Sequence, residues 1–138
     1  VEAIRAEDPR PLSTVGVIPW AMVWPNAKPL FHDPEVGRRL DFVSVHFYPE
    51  ADIEKALAAL KVYDVGKPVV VEEVGPLKCS GEQMEKFIDG AGDIADGWMS
   101  FYWGKPADEY PTDELQGALI ADWLRRFEER SPQMNGAK

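Results

Sequence analysis

Lys67-Pro68-Val69-Val70-Val71-Glu72-Glu73-Val74-Gly75 is a short apolar β-run that ends abruptly in two carboxylates and a glycine. Nothing in a strand's own stability calls for acids there. Glutamate is disfavoured in strands, and a charge at the mouth of a buried strand is costly unless it has partners. In α/β proteins, chemistry gathers at the carboxyl ends of strands. This stretch therefore asks which fold would open its strand end into a cleft.

Working outward, the same kind of segment recurs. Strands are expected at Ser13–Ile18, Phe42–Phe47, Pro68–Glu72 and Trp98–Trp103. Between and around them the pattern predicts helices over 1–7, 34–40, 51–63, from Ser80 onward, and from a Thr112 cap to near the C-terminus. Ile53, Ala56, Leu57 and Leu60 form one apolar stripe, and Met84, Phe87 and Ile88 another. Leu115, Leu119, Ile120, Trp123, Leu124 and Phe127 form a third, and the last seven residues are expected to fray. Strand starts near 42, 68 and 98 are one βα unit of about 30 residues apart. Repeated βα units with apolar strands imply a parallel sheet covered on both faces. The fold class is α/β, with four strands and about four helices in one domain over residues 1–138. Two architectures fit. One is a small open, doubly wound sheet; the other is half of a (β/α)8 barrel, which needs about 250 residues when whole.

Composition narrows the partners. The net charge is −9 over 138 residues, which argues against nucleic acid and anionic membranes, since both reward positive charge. One cysteine allows no internal disulfide, and two scattered histidines show no metal-ligand spacing. No glycine-rich phosphate loop or Gly-x-Ser-x-Gly elbow occurs, so no metal or other cofactor and no serine esterase chemistry is expected. No apolar run approaches the length of a membrane span.

Each expected strand delivers a polar or aromatic group at its carboxyl end. These are Trp20 after the first, His46 and Tyr48 of matching parity after the second, Glu72 and Glu73 after the third, and Tyr102 and Trp103 after the fourth. A parallel sheet would gather Trp20, His46, Tyr48, Glu73 and Trp103 around one opening. Glu72, of opposite parity to Glu73, should face away and pair with a basic residue on a neighbouring helix. The loop tryptophans Trp20 and Trp24 suit sugar stacking, whereas His32 reads as an ordinary loop residue.

Asp41-Phe-Val-Ser-Val-His-Phe-Tyr-Pro49, the 67–75 stretch and Gly97-Trp-Met-Ser-Phe-Tyr-Trp-Gly104 resemble strands six, seven and eight of the clan A retaining glycoside hydrolases. The closest likeness is to the family 5 cellulase and mannanase group. The resemblance implies a C-terminal half TIM barrel, units five to eight, from an enzyme that cleaves β-linked glycans with retention. It assigns Glu73 as nucleophile. His46 and Tyr48 become the pair that binds sugar hydroxyls and hydrogen-bonds the nucleophile, and Trp103 the sugar platform; Trp20, read from its strand-end loop rather than from the resemblance, is expected as a further substrate contact.

Two departures qualify that likeness. Val74 stands where the family has an aromatic residue. The acid/base glutamate belongs to strand four of the family, upstream of Val1. Retaining hydrolysis needs two carboxyl groups about 5–5.5 Å apart, and neither Glu72, Glu50 nor Asp52 is expected opposite Glu73. The chain alone is therefore expected to be inactive or nearly so. A carbohydrate-binding or assembly protein using the same cleft is the alternative. The expected partners are an oligo- or polysaccharide and either the missing N-terminal half barrel or a second copy of this chain.

Overall fold

The computed structural model describes residues 1–17, 34–101 and 104–134. The elements in order are α1 (Glu2–Glu7), β1 (Gly16–Val17), α2 (Pro34–Gly37), β2 (Val43–His46), α3 (Ile53–Lys61), β3 (Val69–Val74), α4 (Gly81–Gly90), β4 (Gly97–Ser100), a short 3-10 turn (Ala107–Glu109) and α5 (Leu115–Met134). The four strands form one sheet in the order β1-β2-β3-β4, all parallel. Sequential neighbours pair throughout, so the described sheet has no reversal of order. A doubly wound sheet would have one.

One core explains the arrangement. Val43, Val45, Phe47, Val69, Val71, Val74 and Trp98 pack with Ala56 and Leu60 of α3, Met84, Phe87 and Ile88 of α4, and Trp123 of α5. Phe87 stacks on Phe47, with ring centroids 5.2 Å apart, and meets Trp98 edge-on at 5.8 Å. Off this core the described residues are unevenly covered: Ser44 is fully buried and Val70 part-buried. The alternate positions Ser44, His46, Val70 and Met99 point away from this core, and Met99 is 56% exposed. α3, α4 and α5 thus pack on one face, and His46 projects from the other at the carboxyl end of β2.

Local chemistry sets the helix ends. Asp52 accepts from the Lys55 N–H at the start of α3. Ser80 and Gln83 form a reciprocal capping box on α4, which satisfies amide donors that the helix cannot pair itself. Thr112 does not cap α5. The Glu114 carbonyl accepts from the Ala118 N–H at 2.9 Å, so the helix starts two residues past the turn that threonine occupies. Leu115 and Leu119, expected in the core, are 78% and 60% exposed, because the α5 stripe reaches the core only from Ile120 onward. The helix runs on to Met134, so 132–134 are helical rather than frayed. Arg126 joins α5 to α4 by donating to both Asp122 and Glu85, and the Trp123 indole N–H donates to Ser100 Oγ at 3.0 Å. Among the described residues no helix is long and apolar enough to cross a membrane.

Asp41 fastens the N-terminal edge. Its carboxylate accepts from the Ser13 N–H at 2.7 Å and from Arg5 at 2.8 Å. These bonds, the backbone one foremost, hold it below the usual carboxylate range. A depressed folded-state value contributes stability that is present above the unfolded value and lost as pH falls through the folded one. The urea midpoint of wild type should therefore exceed that of Asp41→Asn at pH 6, and the gap should close as pH drops below about 4. A gap that is constant from pH 6 to pH 2 would contradict this.

Candidate functional site

The carboxyl ends of β2 and β3 bring four side chains together. The Tyr48 hydroxyl donates to Glu73 Oε1 at 2.6 Å. His46 Nδ1 lies 2.5 Å from Glu73 Oε2, and His46 Nε2 lies 3.0 Å from Glu72 Oε1. Tyr48 therefore hydrogen-bonds one Glu73 oxygen, His46 lies in ion-pair contact with the other, and the imidazole stands between the two carboxylates. The Glu72 and Glu73 side chains keep 24% and 20% of their surface and His46 keeps 39%, so the cluster is withdrawn from bulk water yet reachable.

The position of Glu72 corrects the expectation that it faces away to a basic residue on a helix. The cause is a bulge. Val45 pairs with Val71 but His46 pairs with Glu73. On the other side Val71 pairs with Trp98 and Val74 with Ser100. β3 thus carries one more residue than either neighbour over this stretch, and an extra residue inverts every face assignment after it. Val71 and Val74, three apart, are both fully buried in the helix-side core. Glu72 and Glu73 between them both turn toward His46. Simple alternation would have kept only one of the two there.

Gly16 makes room for this. A Cβ on that residue would lie 2.0 Å from Glu72 Oε1 and 3.3 Å from His46 Nε2. A glycine inside a strand marks a close approach, so Gly16 was a signal in the sequence, although it does not say which side chain approaches. The sequence reading also passed over Phe101, which meets Tyr48 edge-on with centroids 5.9 Å apart and is 47% exposed. β4 ends at Ser100 rather than Trp103, so Phe101 is the aromatic group that the described structure sets beside the cluster. Trp20, Trp24, His32, Tyr102 and Trp103 lie outside the described residues.

The remaining nearby acids are occupied elsewhere. Glu50 pairs with Lys78 at 3.2 Å, and Asp52 caps α3. Glu72 contacts the far nitrogen of the imidazole, so the ring fills the line between it and Glu73. Of the two His46 ring nitrogens, Nε2 is hydrogen-bonded to Glu72. Among the described residues no group of three His, Cys, Asp or Glu side chains is arranged to hold a metal.

Chemically, an accessible carboxylate oriented by a phenol hydroxyl and flanked by an imidazole is placed to act as an acceptor or a nucleophile toward a ligand in the cleft. Comparison of the chain with protein-family models, with curated proteins and with solved structures finds no match in any of the three.

Proposed function

We propose that this chain is the C-terminal half of a (β/α)8 glycoside hydrolase, units five to eight, acting on β-linked glycans by a retaining mechanism. The observation that carries the proposal is the setting of Glu73 at the end of β3, where the Tyr48 hydroxyl donates to it at 2.6 Å and the His46 imidazole lies in ion-pair contact at 2.5 Å. The sequential parallel order of the strands supports the barrel half, as does a helix-side core with His46 projecting from the opposite sheet face. Glu73 attacks the anomeric carbon while the bond to the leaving oxygen breaks. Tyr48 and His46 flank the attacking carboxylate and Trp103 supplies the sugar platform, as in the family the sequence resembles, and the loop residue Trp20 adds a further sugar contact. The proton for an unactivated leaving group comes from a carboxyl outside this chain.

The test is covalent capture. A fluoro-deoxy aryl β-glucoside or β-mannoside with a dinitrophenolate leaving group needs no acid, because that leaving group departs as a stable anion. The expected result is one glycosyl adduct on the peptide that contains Glu73, read by mass spectrometry. Oligosaccharide binding without any adduct would favour the second reading, a carbohydrate-binding or assembly protein. That reading draws support from the other acids: Glu50 pairs with Lys78, Asp52 caps α3, and Glu72 is hydrogen-bonded to His46 on the far side of the ring from Glu73.

The cleft also implies a partner. β1 and β4 are the terminal strands of the described sheet, and open edges invite pairing. Met99 and Phe101 are exposed on the site face, and Leu115 and Leu119 on α5. The missing N-terminal half barrel would cover these surfaces. In its absence, a second copy closing a two-fold, eight-stranded assembly is expected. Sedimentation at micromolar concentration should give a dimer, and a well-folded monomer would count against it.

A further inference from the structure

Glu73 has unlike neighbours on its two sides. On the β2 side stand His46, its strand partner, and Tyr48, whose hydroxyl donates to it. On the β4 side the register carries Phe101. Val74 pairs with Ser100, and the Phe101 N–H donates to the Val74 carbonyl at 3.1 Å. Phe101 is therefore level with the end of β3 that bears both carboxyl groups. Alternation along β4 sets the face it takes. Trp98 is buried in the core and Ser100 accepts from the Trp123 indole of α5, so both lie on the helix side. Met99 and Phe101 lie on the opposite face, from which His46 projects. The Phe101 ring meets Tyr48 edge-on, with 81° between the ring planes.

A core role does not account for this ring. Phe47, Phe87 and Trp123, the aromatic residues that hold the fold, are buried on the helix side, whereas Phe101 is exposed on the other. Met99 lies a level below the carboxyl groups, where closure of a barrel lumen would bury it. Phe101 stands at the carboxyl-end rim, where barrel sites open. The two walls beside Glu73 also differ in chemistry. A pyranose carries hydroxyl groups around its rim and C–H groups on its faces. The phenol and imidazole of β2 suit the hydroxyls, and a flat hydrocarbon ring on β4 suits a C–H face.

We propose that Phe101 is a substrate-binding residue: its ring is the apolar wall of the Glu73 cleft and stacks on the pyranose presented to Glu73. Edge-on packing against Tyr48, itself hydrogen-bonded to Glu73, sets the plane of that wall relative to the carboxyl group. The choice of a sugar as the ligand rests on the proposed function, whereas the placement of the ring does not.

The experiment uses the 138-residue chain with Phe101→Ala, Phe101→Leu and Phe101→Trp. Leucine keeps apolar bulk without a flat face, and tryptophan enlarges the face. Phe101 lies outside the helix-side core, so all three should fold, as circular dichroism checks. The first readout is calorimetric titration with cellohexaose and with mannohexaose, paired with the ring resonances of Phe101 in carbon-edited NMR. At least one of these sugars should bind and shift the Phe101 ring in wild type. Its dissociation constant should rise about five- to tenfold in Phe101→Ala and Phe101→Leu, and stay level or fall in Phe101→Trp. The second readout is covalent capture at Glu73 by the activated glycoside. The half-saturating concentration of the reagent should rise by a similar factor in Phe101→Ala with the saturating rate unchanged, the pattern of lost binding rather than lost chemistry.

No binding of either hexaose, or binding that leaves the Phe101 ring unshifted, would overturn the proposal. So would a slower saturating rate at an unchanged half-saturating concentration, which would make Phe101 a support for the Tyr48 ring alone. If wild type binds a hexaose through Phe101 and is never captured, the hydrolase reading fails and the Phe101 wall stands. If wild type and Phe101→Ala are captured alike at every concentration, the hydrolase reading stands and the Phe101 wall fails.

Discussion

Glu73→Gln is expected to abolish covalent capture of the activated glycoside outright. The adduct is an ester between the anomeric carbon and a carboxylate oxygen, and an amide supplies no ionised oxygen to form it. The loss should therefore be complete within detection rather than graded. The amide is nearly the same size and still accepts from the Tyr48 hydroxyl, so the fold should be unaffected. Tyr48→Phe should give a graded loss instead. It removes the 2.6 Å donor to Glu73 Oε1, and a hydrogen bond to a charged group contributes about 1.5–3 kcal/mol. At about 1.4 kcal/mol per decade, that predicts capture slowed about ten- to a hundredfold. An adduct on Glu73→Gln, or on a peptide lacking residue 73, would sink the assignment of the nucleophile. With natural leaving groups the chain should be far slower, since a positioned general acid contributes about 10²–10⁴-fold.

Phe87→Ala is expected to remove most of the stability of the fold. Phe87 is fully buried, stacks on Phe47 of the segment after β2, and meets Trp98 of β4 edge-on. It therefore joins two strand ends to α4. Truncating a buried phenylalanine costs about 3–5 kcal/mol, against a total of about 5–15 kcal/mol for ordinary domains. A sheet with two terminal strands has little to spare. The urea midpoint should drop by half or more, and the variant should lose its near-ultraviolet dichroism first. Leu77→Ala is the matched control: that side chain is 55% exposed, and its loss should leave the midpoint nearly unchanged or higher. Equal losses in the two variants would show that the core is not where the burial pattern places it.

Particular residues show what could be read ahead. The α3 and α4 stripes were legible because 3.6-residue spacing follows from helix geometry alone, and Ser80 was legible because a serine ahead of an apolar helix has one common use. Tyr48 and Glu73 could be paired from strand parity and the βα rhythm. The α5 stripe was legible in period but not in extent. Whether Leu115 is covered depends on what lies beside it, and no local pattern encodes that.

The amino-acid order by itself determined the parallel βα character of the chain, the helix faces and the gathering of His46, Tyr48 and Glu73 at neighbouring strand ends. These follow from period, capping and parity, which act over a few residues. Only the tertiary structure decided the place of Glu72. Its side depends on one unpaired residue in β3, set by how Val71 and Val74 both reach the helix-side core between β2 and β4. Whether a strand bulges is a contest between core packing and regular pairing across three strands, and that contest takes place only when the strands meet.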